Sequence, residues 1–203
     1  MKLQDLLSEG PSINIQRDDN RETNDLRVLG TGSQGRVFDR KTKPNMVTKV
    51  FGVNNPEKDG SIQFIKLASQ HPNNPYFPRF ANLRFYRKPF NLSFPNATVV
   101  NSYNLTAAVD IEKLVPVTHP KVVDIMTQKL QDAGVLMSGE ELKDWFNMDR
   151  INPEAIRDDN LKEAILLIRK ISPFTDTKAD NLMVRLTSTG PQLVLVDPIF
   201  DPQ

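Results

Sequence analysis

The run Gly30-Thr31-Gly32-Ser33-Gln34-Gly35-Arg36-Val37 spaces three glycines so that a chain turn can present backbone amides to phosphate oxygens. Three architectures share that spacing. In a dinucleotide fold a helix opens on the glycines and its first amides meet a pyrophosphate. A Walker loop needs Gly-Lys followed by Ser or Thr, which is absent here. A plain hairpin needs the glycines for the turn alone. In this chain they run into Val37-Phe38-Asp39 and then a Lys43-Pro44-Asn45 turn, which is hairpin behaviour. Lys49 adds chemistry. It sits in Val47-Thr48-Lys49-Val50, sharing a face with Val47, and a lysine amid such neighbours is unusual if it only meets water. From the strand beside a glycine hairpin its ammonium can reach phosphate oxygens; a solvated edge-strand lysine is the competing expectation.

A second constellation lies near the C-terminus. Asp176-Thr177-Lys178-Ala179-Asp180-Asn181 precedes apolar Leu182-Met183-Val184, a polar turn, and Leu193-Val194-Leu195-Val196-Asp197-Pro198. These types suit phosphoryl transfer. One carboxylate orients or deprotonates an attacking hydroxyl, and a lysine two residues on stabilises the transferred group. An amide and a further carboxylate hold magnesium. A two-strand hairpin sets Asn181 and Asp197 side by side, since each ends its strand. The competing expectation is a polar loop with an Asx turn at Asp176 and a strand-ending Asp-Pro turn.

These groups need elements to position them. Residues 1–24 read as an arm with a short Leu3, Leu6, Leu7 patch. Leu26–Leu29, Arg36–Phe38 and Met46–Phe51 read as three consecutive antiparallel strands. Ser61 is the expected N-cap of a helix through Gln70, stopped by His71-Pro72-Asn73. Strands follow at Leu83–Arg87 and Thr106–Ile111. The second half turns helical over Pro120–Asp132, then from a capping box at Ser138-Gly139-Glu140-Glu141. From Pro153 a stripe of Ala155, Ile156, Leu161, Ala164, Ile165, Ile168 and Ile171 marks a third helix. Leu182–Leu186 and Leu193–Val196 close the chain as strands. The expected fold is α+β: an N-terminal arm (1–24), a five-stranded antiparallel lobe with one helix (25–112) and a smaller helical lobe (113–203).

Bulk properties narrow the class. The 203 residues carry a formal net charge of +1, 38% hydrophobic residues and no cysteine, with mean hydropathy −0.43. No segment approaches the ~20 apolar residues of a membrane span, and Met1–Ser8 is too polar for a secretory signal. The near-neutral charge predicts no pull toward nucleic acid or membranes. Without cysteine there is no disulfide, zinc-thiolate or thiol nucleophile, which fits a reducing cytoplasm. Asn91-Leu92-Ser93, Asn96-Ala97-Thr98 and Asn104-Leu105-Thr106 match the glycosylation pattern but read as ordinary polar turn and strand residues.

The order Gly-x-Gly-x-x-Gly-x-Val, Val-x-Lys, Asp-x-Lys-x-x-Asn and a strand-ending Asp resembles the protein kinase superfamily, and His71-Pro72-Asn73 after the first helix is a familiar accompaniment. It looks most like the small early serine/threonine kinases of podovirus-type bacteriophages, which similarly carry Asp-Pro-Val/Ile where most kinases have Asp-Phe-Gly. The likeness runs from about Leu26 to the C-terminus. It implies ATP and Mg²⁺ as cofactors, with Gly30, Thr31, Gly32, Ser33, Gln34, Gly35 and Val37 forming the lid over ATP. Lys49 would meet the α- and β-phosphates, Asp176 would be catalytic and Lys178 would meet the γ-phosphate. Asn181 and Asp197 would hold Mg²⁺, and Asp110-Ile111-Glu112 would be a hinge whose backbone reads adenine. Protein substrates in a bacterial host cytoplasm, phosphorylated on serine or threonine, would follow.

Four departures qualify the resemblance. Gln63 stands where kinases carry the glutamate that pairs with the lysine, so Lys49 would lean on Asp197 instead. Phe174-Thr175 replaces His-Arg before Asp176, and Pro198 replaces phenylalanine. The sequence ends six residues after Asp197, without an activation segment. The last three agree with one another and imply a kinase without activation-loop control. A nucleotide-binding pseudokinase that docks a partner and a small-molecule phosphotransferase are the alternatives.

Overall fold

The computed structural model describes residues 26–31, 35–87, 90–92, 101–117, 120–135, 151–172 and 181–199. The chain divides into two compact units, Met1–Pro56 with Phe80–Lys113 and Glu57–Arg79 with Leu114–Gln203. It is α+β, with a five-stranded antiparallel sheet and three helices among the described residues.

In the first unit, β1 (Leu26–Thr31), β2 (Gly35–Arg40), β3 (Met46–Val53), β4 (Phe80–Tyr86) and β7 (Leu105–Glu112) form one sheet in the order β1-β2-β3-β7-β4. Between β4 and β7 a small hairpin pairs β5 (Phe90–Leu92) with β6 (Asn101–Tyr103). Strand β7 lies between β3 and β4, and Thr106 through Ile111 are all buried. A strand covered on both faces must be apolar throughout rather than alternating, which explains Ala107-Ala108-Val109. Phe38, Val50, Ala108 and Tyr103 pack into one cluster, flanked by Tyr86. That cluster needs Gly52: a Cβ there would run into the Tyr103 ring.

The second unit holds α1 (Gly60–Gln70), α2 (Pro120–Asp132), α3 (Asp159–Ile171) and a sheet of β10 (Gly190–Leu195), β9 (Leu182–Thr187) and β8 (Val115–Pro116). The N-cap of α1 is Asp59, whose Oδ1 accepts from Ile62 N at 2.9 Å, so the helix begins one residue before Ser61, the expected cap. Asp59 wins because its carboxylate reaches an orphan amide of the first turn while Ser61 is already buried inside it.

Helix α1 also groups with the helical unit rather than with the sheet. It packs against α3, and the residues after it are tied there: Asn74 Nδ2 donates to Asn160 O and Glu163 Oε2, both at 2.9 Å. Pro153 opens a 3-10 turn, Pro153–Ala155, and α3 starts afresh at Asp158, whose Oδ1 caps Leu161 N at 3.0 Å. Ala155 and Ile156 are therefore outside the helix that the stripe predicts, while Leu161, Ala164, Ile165 and Ile168 form its buried face. The helix expected from Ser138 lies outside the described residues.

Candidate functional site

Strand pairing sets β2 beside Lys49. Across β2 and β3, Val37 stands opposite Lys49, and across β3 and β7, Lys49 stands opposite Val109. Directly opposed residues share a face, so Val37, Lys49 and Val109 form a row on one side of the sheet. Phe51, two residues on, continues it, and Lys49 Nζ lies 5.5 Å from the Phe51 ring centroid, within cation–π reach. Lys49 is half-buried. It is thus a central-strand lysine over an apolar floor, not a solvated edge residue.

The glycines divide by what demands them. A Cβ on Gly35 would stand 2.5 Å from Val50 O and 2.8 Å from Phe51 Cβ, so β2 can lie on β3 only without one. A Cβ on Gly30 meets nothing within 4 Å. Packing therefore explains Gly35 but not Gly30. We expect Gly35→Ala to cost ~1–3 kcal/mol in urea unfolding through overpacking. Gly30→Ala should shift stability by under ~0.5 kcal/mol. Thr31 pairs with Arg36 at the brink of the turn; Gly32, Ser33 and Gln34 lie outside the described residues.

Asp110 has a different setting from the one expected of a hinge. It pairs with Thr48 of β3 on one side and Ala81 of β4 on the other, so its main chain is enclosed by two ladders. Ile111 is enclosed likewise, between Val47 and Phe80. Adenine recognition by the backbone of these two residues is not what the sheet supports, because a base needs an amide edge that no strand occupies. Glu112 faces Met46 and has no β4 residue opposite it in the register. Of the three expected hinge residues it alone stands at the sheet's rim.

The Asp110 side chain points to the face opposite Lys49, since it opposes Thr48. It is 1% exposed. Its Oδ1 accepts from Thr48 Oγ1 at 2.8 Å and Arg84 Nη2 at 3.3 Å, and its Oδ2 from Lys43 Nζ at 2.6 Å and Asn82 Nδ2 at 2.9 Å. Burial alone would raise its pKa, but the hydrogen bonds from Lys43, Asn82 and Thr48 and the charge of Arg84 outweigh it and hold the value at about 2. Asn82 takes a left-handed φ of 53° at the β4 bulge, a conformation asparagine tolerates better than most residues. Sequence reasoning did not find this cluster. Its one signal was an aspartate inside Ala107-Ala108-Val109-Asp110-Ile111, where an unpaired carboxylate would be costly.

In the second unit β9 and β10 form the expected hairpin, from Gly190↔Thr187 to Leu195↔Leu182. One step beyond, Val196 N donates to Asn181 O at 3.0 Å. Asn181 and Asp197 therefore flank the open end of the hairpin, both half-buried. Leu182, Val184, Leu193, Val194 and Leu195 are 0–1% exposed and hold it rigidly, and Pro198 and Ile199 are buried as the chain leaves. An amide oxygen and a carboxylate are hard donors that fit Mg²⁺, which takes one or two carboxylates and fills its remaining positions with substrate phosphates and water. Among the described residues no group of three His, Asp or Glu side chains gathers as a metal site. Asp176 and Lys178 lie outside the described residues.

Gln63 belongs to the second unit, on α1, where its Nε2 donates to Glu57 O at 3.0 Å. A cavity of about 380 Å³ in that unit is lined by Tyr76, Met126, Leu130, Arg157, Asp158 and Gln192 among others, and by none of the catalytic, nucleotide-binding or metal-binding residues expected from the sequence. At its wall Tyr76 Oη donates to Asp158 Oδ2 at 2.7 Å. Burial, with that carboxylate beside it, raises the Tyr76 pKa. No helix among the described residues is long and apolar enough to cross a membrane.

No protein-family model, curated protein or solved structure matches this chain.

Proposed function

We propose that the protein is an ATP-dependent phosphotransferase of the protein-kinase kind, acting on serine or threonine hydroxyls of proteins with Mg²⁺ as cofactor. The observation that carries this reading is the register that sets Lys49 opposite Val37, one strand from the glycine turn, on the central strand of a rigid sheet. From there its ammonium binds the α- and β-phosphate oxygens of ATP. Gly30, whose missing Cβ no packing requires, leaves room for the nucleotide under the turn.

In the second unit the chemistry falls to Asp176, which accepts the proton of the substrate hydroxyl as its oxygen attacks the γ-phosphorus. Lys178 stabilises the charge on the transferred group, and ADP leaves. Asn181 and Asp197 would hold Mg²⁺, which would supply charge neutralisation along the phosphates. Host bacterial proteins as substrates belong to the same proposal, on the strength of the sequence resemblance.

The test is to incubate the purified chain with bacterial lysate and radiolabelled Mg-ATP, alongside Lys49→Ala. Label on serine or threonine of one or more proteins, lost in the variant, is the expected result. If neither the chain nor any lysate protein is labelled, the proposal fails.

A nucleotide-binding pseudokinase is the second reading. One observation favours it: Gln63, where a kinase would carry glutamate, has no charge to offer a lysine, and its amide is engaged by the Glu57 carbonyl. Asp176→Asn separates the two, abolishing the cellular effect of a kinase and sparing that of a docking protein.

A further inference from the structure

The cavity of about 380 Å³ in the second unit is lined by no residue assigned to phosphotransfer, and its walls are tied to one another. Arg185 Nη1 and Nη2 donate to Pro75 O and Phe77 O, both at 2.9 Å, and Leu195 N donates to Tyr76 O at 2.9 Å, which clamps the Tyr76 segment to β9 and β10. Tyr76 is 8% exposed, and its hydroxyl reaches Asp158 at the start of α3. Arg157 N donates to Ala133 O at 2.9 Å, joining the end of α2 to the same point. Both helices, β10 and the Tyr76 segment are thereby fixed around one space.

The floor of this space is apolar and its rim is charged. Met126, Leu130 and Leu193 line it and are buried. Among the described residues four charged side chains also line it, and two of them are used internally. Asp158 caps Leu161 N with Oδ1 and takes the Tyr76 hydroxyl with Oδ2, while Lys129 Nζ donates to Pro191 O at 2.6 Å. The other two, Arg157 and Asp132, are exposed. The Arg157 guanidinium has no hydrogen-bond or carboxylate partner among the described residues. Asp132 accepts from Gln128 Nε2 at 3.0 Å through Oδ1, and no ion pair joins it to Arg157. Asp132 also closes α2, where the helix carbonyls disfavour a carboxylate, so the helix itself gives no reason for an acid there.

We infer that this cavity binds a free α-amino acid with a large apolar side chain. The ligand carboxylate pairs with the Arg157 guanidinium, whose planar fork matches it. The ligand ammonium meets the open oxygen of Asp132. The side chain rests on Met126, Leu130 and Leu193, where the thioether also favours an aromatic ring. A zwitterion satisfies two opposite charges that share a cavity without pairing with each other; a simple anion or cation satisfies one and is repelled by the other. The volume lies near the lower end of small-molecule sites, about 300–1,000 Å³, which suits a molecule of amino-acid size. The inference rests on the second unit alone and is independent of the phosphotransfer proposal.

The measurement is isothermal titration calorimetry of the full chain with L-phenylalanine, beside analogues that each lack one feature: phenethylamine the carboxylate, 3-phenylpropionate the ammonium, glycine the side chain. Phenylalanine should saturate a single site. Phenethylamine and 3-phenylpropionate should each bind at least about 10-fold more weakly, the loss of one charge-assisted contact. Glycine should fall by at least about 10-fold through lost apolar burial. Arg157→Gln should weaken phenylalanine by at least about 10-fold and leave phenethylamine no weaker. Asp132→Asn should weaken phenylalanine likewise and leave 3-phenylpropionate no weaker. Both residues are exposed, so circular dichroism should match the parent, and the analogue series on the parent chain needs neither variant.

Three results overturn the inference. One is the absence of saturable binding at millimolar phenylalanine. A second is a one-charge analogue that binds as tightly as phenylalanine, which makes the cavity a site for a simple anion or cation. The third is phenylalanine affinity that survives both substitutions, which places the amino acid elsewhere on the chain.

Discussion

Asp110→Asn is expected to lower the unfolding free energy by about 3–5 kcal/mol, the range seen when one partner of a buried ion pair is removed. The substitution keeps the shape of the side chain but withdraws the charge that Lys43 and Arg84 share, and it turns an amide N–H₂ toward one set of donors. Lys43, 37% exposed, can swing to water; Arg84, at 21%, has less freedom, and its Nε already lacks a partner. The carboxylate joins the β2–β3 turn, β3 and β4 through the strand between them, so its loss loosens three neighbours together. Urea unfolding followed by circular dichroism should show a lower midpoint with an unchanged m value.

The acid limb supplies an independent check. The folded pKa of about 2 lies below the ordinary carboxylate value of 3.8. The stabilisation is therefore complete above pH ~4 and fades as pH falls toward ~2, a linkage of about 2 kcal/mol. Asp110→Asn should lack that portion of the acid destabilisation. An Asp110→Asn protein as stable as the parent at pH 7, with the same acid limb, would show that the four hydrogen bonds do not hold the sheet.

The second large effect is on activity. On the proposed function, Asp197→Ala should reduce phosphoryl transfer by at least about 10³-fold, since charge neutralisation along the phosphates provides much of the rate in this chemistry. The register of the hairpin ends at Leu195↔Leu182, and the next link is a main-chain bond from Val196 to Asn181. An unchanged thermal transition beside a lost rate therefore assigns Asp197 to chemistry. Raising Mg²⁺ should recover part of the activity of Asn181→Ala, which keeps the carboxylate, and little of Asp197→Ala. Comparable rates in parent and Asp197→Ala would remove this residue from the site.

Much of this arrangement was legible in sequence because it is local. Alternation and turn residues mark β1 to β3, and the Val-x-Lys spacing puts Val47 and Lys49 on one face. The 187–191 turn between two apolar runs dictates the hairpin that sets Asn181 beside Asp197. Helix α2 was readable because its apolar period and its ending near Gly134 lie within one short segment, and Gly134 does adopt a positive φ of 74°.

What sequence could not decide depends on partners distant along the chain. The resemblance makes Asp110 part of a hinge whose backbone reads adenine, because nothing local reveals that β4 would lie beside β7 and enclose it. Asp59 outcompeted Ser61 as a cap by geometry at a single turn. The destination of α1 was equally hidden, since its apolar face fits either a sheet or a helix; the contacts of Asn74 with Asn160 and Glu163 show that it groups with α3. The glycine turn and Lys49 were chosen from residue type and spacing, and the strand register adds the reason one glycine is structural and another is not.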